Sequence, residues 1–181
     1  MTLSEKLHFD EVDRKIITLL QENPDMTHNE IAGLIGRSQP TIGIRLRKLL
    51  KSGAFLIQPG VNFRGVELYM GRVNIQTKNP EKIFELAECC PFVLNCFSVS
   101  GDYNIVLLIV STKLEYIDAI VNTHFRKSPH SNRVKVEIVL DIAKDFTIPV
   151  RFEEQQLHDP TNHKNCIEEC DFCHQYLLTE N

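Results

Sequence analysis

The chain has 181 residues, 43% of them hydrophobic and 24% charged, a composition typical of a soluble globular protein with one or two domains. The longest apolar run, Ile105 to Val110, is too short to span a membrane, and the amino terminus lacks a signal-peptide pattern, so we expect a cytoplasmic protein without a membrane segment. The formal net charge of −4 argues against a generally basic protein, but the acidic excess lies in residues 152–181.

Two short helices are predicted first. Asp10 can cap a helix that runs to about Asn23, where an Asn-Pro pair would end it. Thr27 and Glu30 then have the spacing of a capping box, which favours a second helix over residues 29–35. A glycine-containing link follows directly, so a third helix would start close to the end of the second.

The third predicted helix begins after Ser38, a good N-cap, with a proline in its first turn. Its inward stripe is formed by Ile42, Leu46, Leu49 and Leu50. Its basic residues lie off that stripe and are Arg45, Arg47, Lys48 and Lys51. No acidic residue occurs between Arg37 and Lys51, so this helix is the one basic block without acids in the chain.

Three short helices joined in this way predict a helix-turn-helix domain at residues 1–54, with the third as recognition helix. Lysine and arginine would neutralise phosphates of double-stranded DNA, and amide, hydroxyl or guanidinium groups would contact base edges. The candidate DNA-binding residues are Arg37, Ser38, Gln39, Thr41, Arg45 and Lys48. The alternative is a solvated basic surface helix in a bundle that binds no DNA.

The rest of the chain predicts a second domain at residues 66–150, after a strand-like exit at Phe55–Gln58 and a hinge within residues 55–65. The predicted order is a strand at 66–76, a helix at 79–90, strands at 92–100 and 105–111, a helix at 114–125 and a strand at 134–142. This βαββαβ order is ferredoxin-like, which makes the whole chain α+β. Because two helices cover one sheet face, we expect a second copy to cover the other, giving a homodimer or a higher even oligomer.

Four sequence blocks carry a recognisable pattern. The opening-helix block comprises Phe9, Asp10, Asp13 and Ile16, and the second-helix block comprises Glu30, Ile31, Ala32, Ile35, Gly36 and Ser38. The recognition-helix block comprises Thr41, Ile42, Arg45, Leu46, Leu49 and Gly53, and the turn between the central strands comprises Gly101, Asp102 and Tyr103. Together these blocks resemble the Lrp/AsnC transcription regulators, also called feast/famine regulators, over about residues 8–150.

This resemblance implies a sequence-specific DNA-binding regulator rather than an enzyme, joined into homo-oligomers through its second domain. It also implies a small effector, usually an amino acid, bound between such domains. The Gly101-Asp102-Tyr103 turn is the implied effector site, where Asp102 could receive an ammonium group and the backbone a carboxylate. From spacing alone, the same three residues would predict only a hairpin turn.

The tail at residues 151–181 lies beyond the family pattern and concentrates thiol and imidazole groups. We expect it to bind one zinc ion through Cys166, Cys170 and Cys173, with His163 or His174 as the fourth ligand. An iron–sulfur cluster is the alternative metal group. A helix that packs these side chains as an apolar stripe is the alternative without metal. Metal or redox state in this tail could then modulate the regulator. Cys89, Cys90 and Cys96 are expected to be buried structural thiols instead.

Two other functions remain open at this stage. Siroheme decarboxylases share the two-domain plan, and His124 and His130 are weak candidates for such an enzyme. The chain could also be a stand-alone effector-binding or metal-buffering protein whose helical domain has lost its role. The sequence leaves the operator, the sign of regulation, the effector and the metal undetermined.

Overall fold

The computed structural model describes residues 6–161, and the chain divides into two compact units after Gln58. Between residues 8 and 58 the first unit forms three helices: α1, Glu11–Glu22; α2, His28–Ile35; and α3, Gln39–Lys51. The side chains of Asp10, Thr27 and Ser38 cap the three helices in turn. Each accepts a hydrogen bond from the backbone N–H of the residue three positions later. The three predicted helices are therefore confirmed to within one or two residues.

A small apolar core holds these helices together. Its buried members are Ile16, Leu20, Ile31, Ala32, Ile42 and Leu46. Gly36 ends α2 in the left-handed region, with φ at 70°, and its N–H donates to Ala32 O over 3.0 Å. A residue with a Cβ is strained in that conformation, so glycine permits the tight turn that leads into Ser38 and α3.

The second unit begins with a two-residue strand and then follows the predicted βαββαβ order. Its elements are β1, Val61–Asn62; β2, Tyr69–Thr77; α4, Pro80–Cys89; β3, Val93–Ser98; β4, Ile105–Ser111; α5, Leu114–Ile120; β5, Ser131–Ile138; β6, Thr147–Ile148; and α6, Phe152–Gln156. A 3₁₀ turn spans Phe63–Gly65, and a π-helical segment, Val121–Arg126, continues α5.

The main sheet is antiparallel with strand order β3-β4-β2-β5. This is the ferredoxin-like arrangement. The two strands that each precede a helix, β2 and β4, lie side by side at the centre of the sheet. β2 and β4 are paired from Tyr69, which lies opposite Ser111, to Ile75, which lies opposite Ile105. The predicted fold class, a helix-turn-helix domain plus a ferredoxin-like domain, is confirmed.

The helix-covered face of this sheet holds the main core. Its fully buried side chains come from both central strands and both helices, and they include Ile75, Ile83, Ile105, Leu107, Ile117, Ile120 and Phe125. Gly71 lies where β2 passes closest to α5, because an added Cβ would stand 2.9 Å from Ile117 Cγ2. The sheet and α5 therefore pack without room for even one extra methyl group at this point.

Residues 6–161 cover the opposite face only in part. β1 pairs antiparallel with β6 and forms a two-stranded sheet, and a second cluster around Met70, Val110 and Ile148 lies on that side. Farther along the same face, Asn74 Nδ2 donates to Glu137 Oε2 over 3.1 Å.

Three local expectations differ from the structure. Residues 55–58 form no strand, and the strand in this region is β1, whose partner β6 lies far along the sequence. The last large strand starts at Ser131 and ends at Ile138 rather than running from 134 to 142. The helix predicted to reach Phe125 is α-helical only to Ile120 and continues as a π-helix, which keeps Val121 and Phe125 buried.

Candidate nucleic-acid interface and ligand domain

The amino-terminal end of α3 is fixed by its cap. Ser38 Oγ accepts from Thr41 N–H over 3.4 Å and lies 2.8 Å from Thr41 Oγ1. Pro40 occupies the first turn, where the missing N–H has no intrahelical partner to lose. Gln39 beside it is exposed, so its amide group can reach outward. An amide or hydroxyl at this end of a recognition helix is placed to contact a base edge.

One face of α3 is buried and the opposite face is basic. Ile42, Leu46 and Leu49 are buried against the rest of the unit. The outward face carries Ile44, Arg47, Lys48 and Lys51, which follow the helical repeat. Ile44 is 63% exposed, a large apolar residue in water that the sequence analysis did not select. Such a side chain can pack on a thymine methyl group in the major groove.

Arg45 does not share that outward face. Its Nη1 donates to Asp10 Oδ2 over 2.5 Å and to Asp13 Oδ1 over 2.9 Å, so it joins α3 to the start of α1. The same two aspartates form the capping box of α1 with each other's backbone N–H groups. In this structure the guanidinium is engaged within the unit, which is a role that the sequence did not reveal.

This contact also shifts the electrostatics of the cap. The hydrogen bond from Asp13 N–H, followed by the one from Arg45, holds the pKa of Asp10 below its ordinary value. The remaining basic residues of α3 differ from Arg45, because within residues 6–161 no carboxylate lies within ion-pairing distance of Arg47, Lys48 or Lys51. Arg37, at the turn before Ser38, is exposed as well. The basic residues of α3 that make no ion pair within residues 6–161 therefore lie on its exposed face.

The predicted effector turn joins β3 to β4. Gly101 has φ at 132°, which favours glycine, and Asp102 is exposed while Tyr103 is half-buried. Val99 N–H donates to Asn104 O over 2.9 Å and closes the base of the turn. An exposed carboxylate here can accept hydrogen bonds from a ligand ammonium group, but the geometry alone also fits a simple hairpin connection.

Asn104 ties this turn to the end of β2 with both ends of its amide. Its Oδ1 accepts from Thr77 N–H and its Nδ2 donates to Thr77 O, each over 2.9 Å. Thr77 Oγ1 in turn donates to His130 O over 2.6 Å, and Asn79 Nδ2 lies 3.4 Å from His130 Nδ1. The turn, the start of α4 and the loop before β5 are thus held together, and this network was not predicted from sequence.

The cysteines outside the tail lie in or beside the main core. Cys90 is buried, and Cys89 and Cys96 are half-buried. Burial raises the pKa of the Cys96 thiol to about 11, so it stays protonated and unreactive at neutral pH. Of the three thiols expected to be buried, only Cys90 is fully so.

The metal ligands predicted in the tail, His163, Cys166, Cys170, Cys173 and His174, lie outside the described residues. Within residues 6–161, no group of three or more histidine, cysteine, aspartate or glutamate side chains is arranged to hold a metal ion. No helix in the same range has the length and apolarity needed to cross a membrane.

Each unit is similar to a known domain family. Residues 9–54 match the winged helix-turn-helix DNA-binding family, and residues 70–149 match the Lrp/AsnC ligand binding domain. The transcriptional regulator FL11 of Pyrococcus horikoshii is 26% identical over 153 residues, which cover 81% of this chain and 99% of that protein. An uncharacterised HTH-type regulator of Pyrococcus furiosus is 32% identical over 84 residues, 44% of this chain and 54% of that one.

Solved structures share the fold. Escherichia coli AsnC superposes with a TM-score of 0.65 at 21% identity, over 77% of this chain and 97% of AsnC. A transcriptional regulator of Neisseria meningitidis, solved as an L-Met complex, has a TM-score of 0.68 at 21% identity, over 80% of this chain and 99% of that one.

Proposed function

Because residues 9–54 match a helix-turn-helix DNA-binding family and residues 70–149 match the Lrp/AsnC ligand binding domain, we propose that the chain is a sequence-specific DNA-binding regulator controlled by a small effector. The observation that carries this proposal is the outward face of α3. This face carries three basic residues and the exposed apolar side chain of Ile44, while the exposed amide of Gln39 lies at the capped end of the helix and Arg45 is bound to Asp10 and Asp13. We also propose a cytoplasmic location, which is consistent with the match to a DNA-binding family.

The DNA contacts follow from this face. Arg47, Lys48 and Lys51 would neutralise phosphates, which gives affinity without sequence information. Gln39 and Thr41, at the capped end, would contact base edges, with Arg37 and Ser38 at the adjoining turn. Arg45 would contribute by holding α3 against α1 so that the other groups keep their spacing.

Selection of bound fragments from a random pool of duplex DNA tests sequence specificity directly. The full chain should enrich a motif, and Gln39→Ala should reduce the enrichment of that motif more than it reduces binding to unselected DNA. An enriched pool without any shared motif would reject sequence-specific recognition while leaving non-specific binding possible.

The effector is proposed to be an amino acid bound at the Gly101-Asp102-Tyr103 turn. Support comes from the Lrp/AsnC ligand binding domain match and from the exposed Asp102 carboxylate, and a related Neisseria regulator was solved as an L-Met complex. Screening amino acids for an increase in Tm is the test, and Asp102→Asn should remove the increase for any amino acid that gives one.

Assembly is proposed to occur through the incompletely covered sheet face. Phe97 on β3 is 42% exposed, and half-buried Val106 and Leu108 lie on the same face of β4. Apolar groups arranged on one sheet face favour a second copy as cover. Light scattering on the full chain should give a dimer or a larger even oligomer, and Leu108→Lys should reduce the mass. A monomeric native chain would contradict this part of the proposal.

The zinc site in the tail remains a prediction, with an iron–sulfur cluster as its alternative. An enzyme similar to siroheme decarboxylases is not favoured, because the relatives are named as transcription regulators. A visible spectrum of the purified protein separates these functions, since a bound tetrapyrrole absorbs intensely.

A further inference from the structure

A cavity of about 490 Å³ opens at the edge of the second unit. It lies where β2 and β3 begin and β4 ends, which is the end of the sheet opposite the Gly101 turn. Leu68 before β2, Phe92 before β3 and Lys113 after β4 line it together. It is therefore separate from the proposed effector turn, and its lining residues all belong to the second unit.

The floor of the cavity is aromatic. Phe92 is buried, and its ring centroid lies 6.3 Å from the rings of both Tyr116 and His158, with edge-to-face geometry in each case. Val61 and Val150 add aliphatic surface. A planar or branched apolar group would be more stable against these walls than in water, because its apolar surface would be buried.

One cation stands at the mouth. Lys113 Nζ lies 4.8 Å from the Tyr116 ring centroid and 3.5 Å from Glu115 Oε1, and its side chain is 55% exposed. The neighbouring Tyr116 and then Glu115 raise the pKa of Lys113, so the ammonium is charged throughout the neutral range. Its position beside the aromatic floor places a positive charge next to an apolar chamber.

The outer wall comes from beyond the Lrp/AsnC domain, whose match ends at residue 149. Phe152 and Gln155 on α6 line the cavity, and Gln155 Nε2 donates to Pro91 O over 3.0 Å. His158 follows α6 and makes the ring contact with Phe92. This segment is thus fastened to the strand end and encloses a space that the sheet and α5 would leave open.

We propose that this cavity is a second small-molecule site, which binds an organic carboxylate with an aromatic or branched apolar body. The carboxylate pairs with Lys113, where it competes with the exposed Glu115, and the apolar body packs against the aromatic floor formed by Phe92 and Tyr116. The volume falls within the roughly 300–1,000 Å³ range of small-ligand sites, which are mostly apolar with a few placed polar groups. A phosphate ester or another highly charged ligand would be a poor fit, because most of the lining cannot hydrogen-bond.

Glu67 also lines the rim, so the ligand could be a free amino acid whose ammonium group meets that carboxylate. A simple aryl carboxylate offers the same anionic and apolar groups without the ammonium. Phenylacetate and L-phenylalanine therefore distinguish the two sources. Phenylacetamide retains the ring but lacks the charge, so it measures how much Lys113 contributes.

Calorimetric titration of the full chain provides the test. We expect phenylacetate, L-phenylalanine or both to bind with Kd of about 1 mM or tighter, a modest affinity for ligands of this size. Lys113→Gln should weaken that binding about tenfold, the effect of losing one charge-assisted hydrogen bond. Val66→Trp, at a residue that lines the cavity and is 39% exposed, should block it by filling the space. Lys144→Gln removes an exposed lysine away from the cavity and should bind like the native chain.

Absence of binding by both carboxylates, or equal binding by the native chain, Lys113→Gln and Val66→Trp, would overturn the proposal. Equal binding of phenylacetamide and phenylacetate would reject the carboxylate as the recognised group. None of these outcomes depends on DNA, so they leave the proposed regulatory function to be judged by the experiments on α3.

Discussion

Arg45 on α3 donates a hydrogen bond from Nη1 to Asp13 Oδ1 on α1, with the two atoms 2.9 Å apart. Asp13 is only 16% exposed at its side chain, and its second oxygen accepts from Asp10 N–H as part of the α1 cap. One guanidinium thus connects the recognition helix to the capping box of the first helix. The basic groups that face outward can keep their position because this inward one holds the helix.

Removal of this connection should destabilise the first unit. Arg45→Met leaves the carboxylate of Asp13 without its cationic partner, and we expect a loss of about 1–2 kcal/mol in the free energy of unfolding, because the pair is only partly buried. Lys48→Met is the matched control, since Lys48 is exposed on the same helix. Urea unfolding followed by NMR signals of residues 6–58 measures both. Equal stability of the two variants would show that the Arg45 contact does not stabilise the unit.

The acid stability of the first unit should depend on its caps. Hydrogen bonds lower the pKa of Asp10, and Thr27 lowers that of Glu30 in the same way. A depressed folded-state pKa contributes stability above the unfolded pKa, which is near 4, and that contribution is lost as the pH falls through the folded value. Unfolding of the unit should therefore become easier below about pH 4. The double variant Asp10→Asn, Glu30→Gln should flatten this acid limb, and an unchanged limb would exclude both groups as its cause.

The amide of Asn104 should be required at the base of the effector turn. Asn104→Asp keeps the acceptor for Thr77 N–H but places a carboxylate against Thr77 O, where a donor is needed. We expect a loss of about 1–2 kcal/mol in the stability of the second unit, measured by thermal unfolding. Asp102→Asn changes the same turn at an exposed position and should have little effect on stability. A neutral Asn104→Asp variant would contradict the observed pairing.

The tail should contain metal if its cysteines and histidines act as zinc ligands. Elemental analysis of anaerobically purified protein should give one zinc ion per chain, and Cys170→Ser should lower it because zinc prefers four nitrogen or sulfur ligands. Cys89→Ser is the matched control, as Cys89 lies at the end of α4 outside the tail. If the protein instead contained iron and absorbed visible light, an iron–sulfur cluster would be favoured. If the native protein contained no metal, the helix that packs these side chains as an apolar stripe would be favoured.

Local sequence signals predicted most of the fold because the three helices of the first unit have side-chain caps and the main elements have clear apolar periodicities. The strand at Ile105–Ser111 was predicted with its observed bounds, since a run of branched residues between turns has one simple interpretation. The pairing of β1 with β6 was missed, because two-residue strands have no periodicity and their partners are far apart in sequence. The π-helical continuation at Val121–Arg126 was missed because its buried residues also fit an ordinary helix.

The candidate sites were less predictable for the same physical reason. The sequence placed Arg45 off the apolar stripe of α3, which made it a DNA-contact candidate like its basic neighbours. In the structure it contacts Asp10 and Asp13 at the start of α1, more than thirty residues earlier in the sequence. No local sequence pattern reveals a contact between residues so far apart in the chain. Thr77 and Asn104 likewise meet only because β2 and β4 pair. The cavity at Lys113 needed the position of α6, which no motif indicates.

The salt dependence of DNA binding tests the central claim most directly. Each phosphate contact that is lost lowers the slope of log K against log salt by about 0.9, so Arg47→Ala combined with Lys48→Ala should reduce it by roughly 2 and weaken binding at low salt. The matched control, Lys127→Ala with Lys144→Ala, removes the same charge from exposed positions in the second unit. If the protein binds DNA through α3, the control should keep the native slope and affinity. The α3 variant should then show the smaller slope and the weaker binding. If the native chain, the control and the α3 variant gave the same slope and the same affinity, this helix would not be part of the DNA interface.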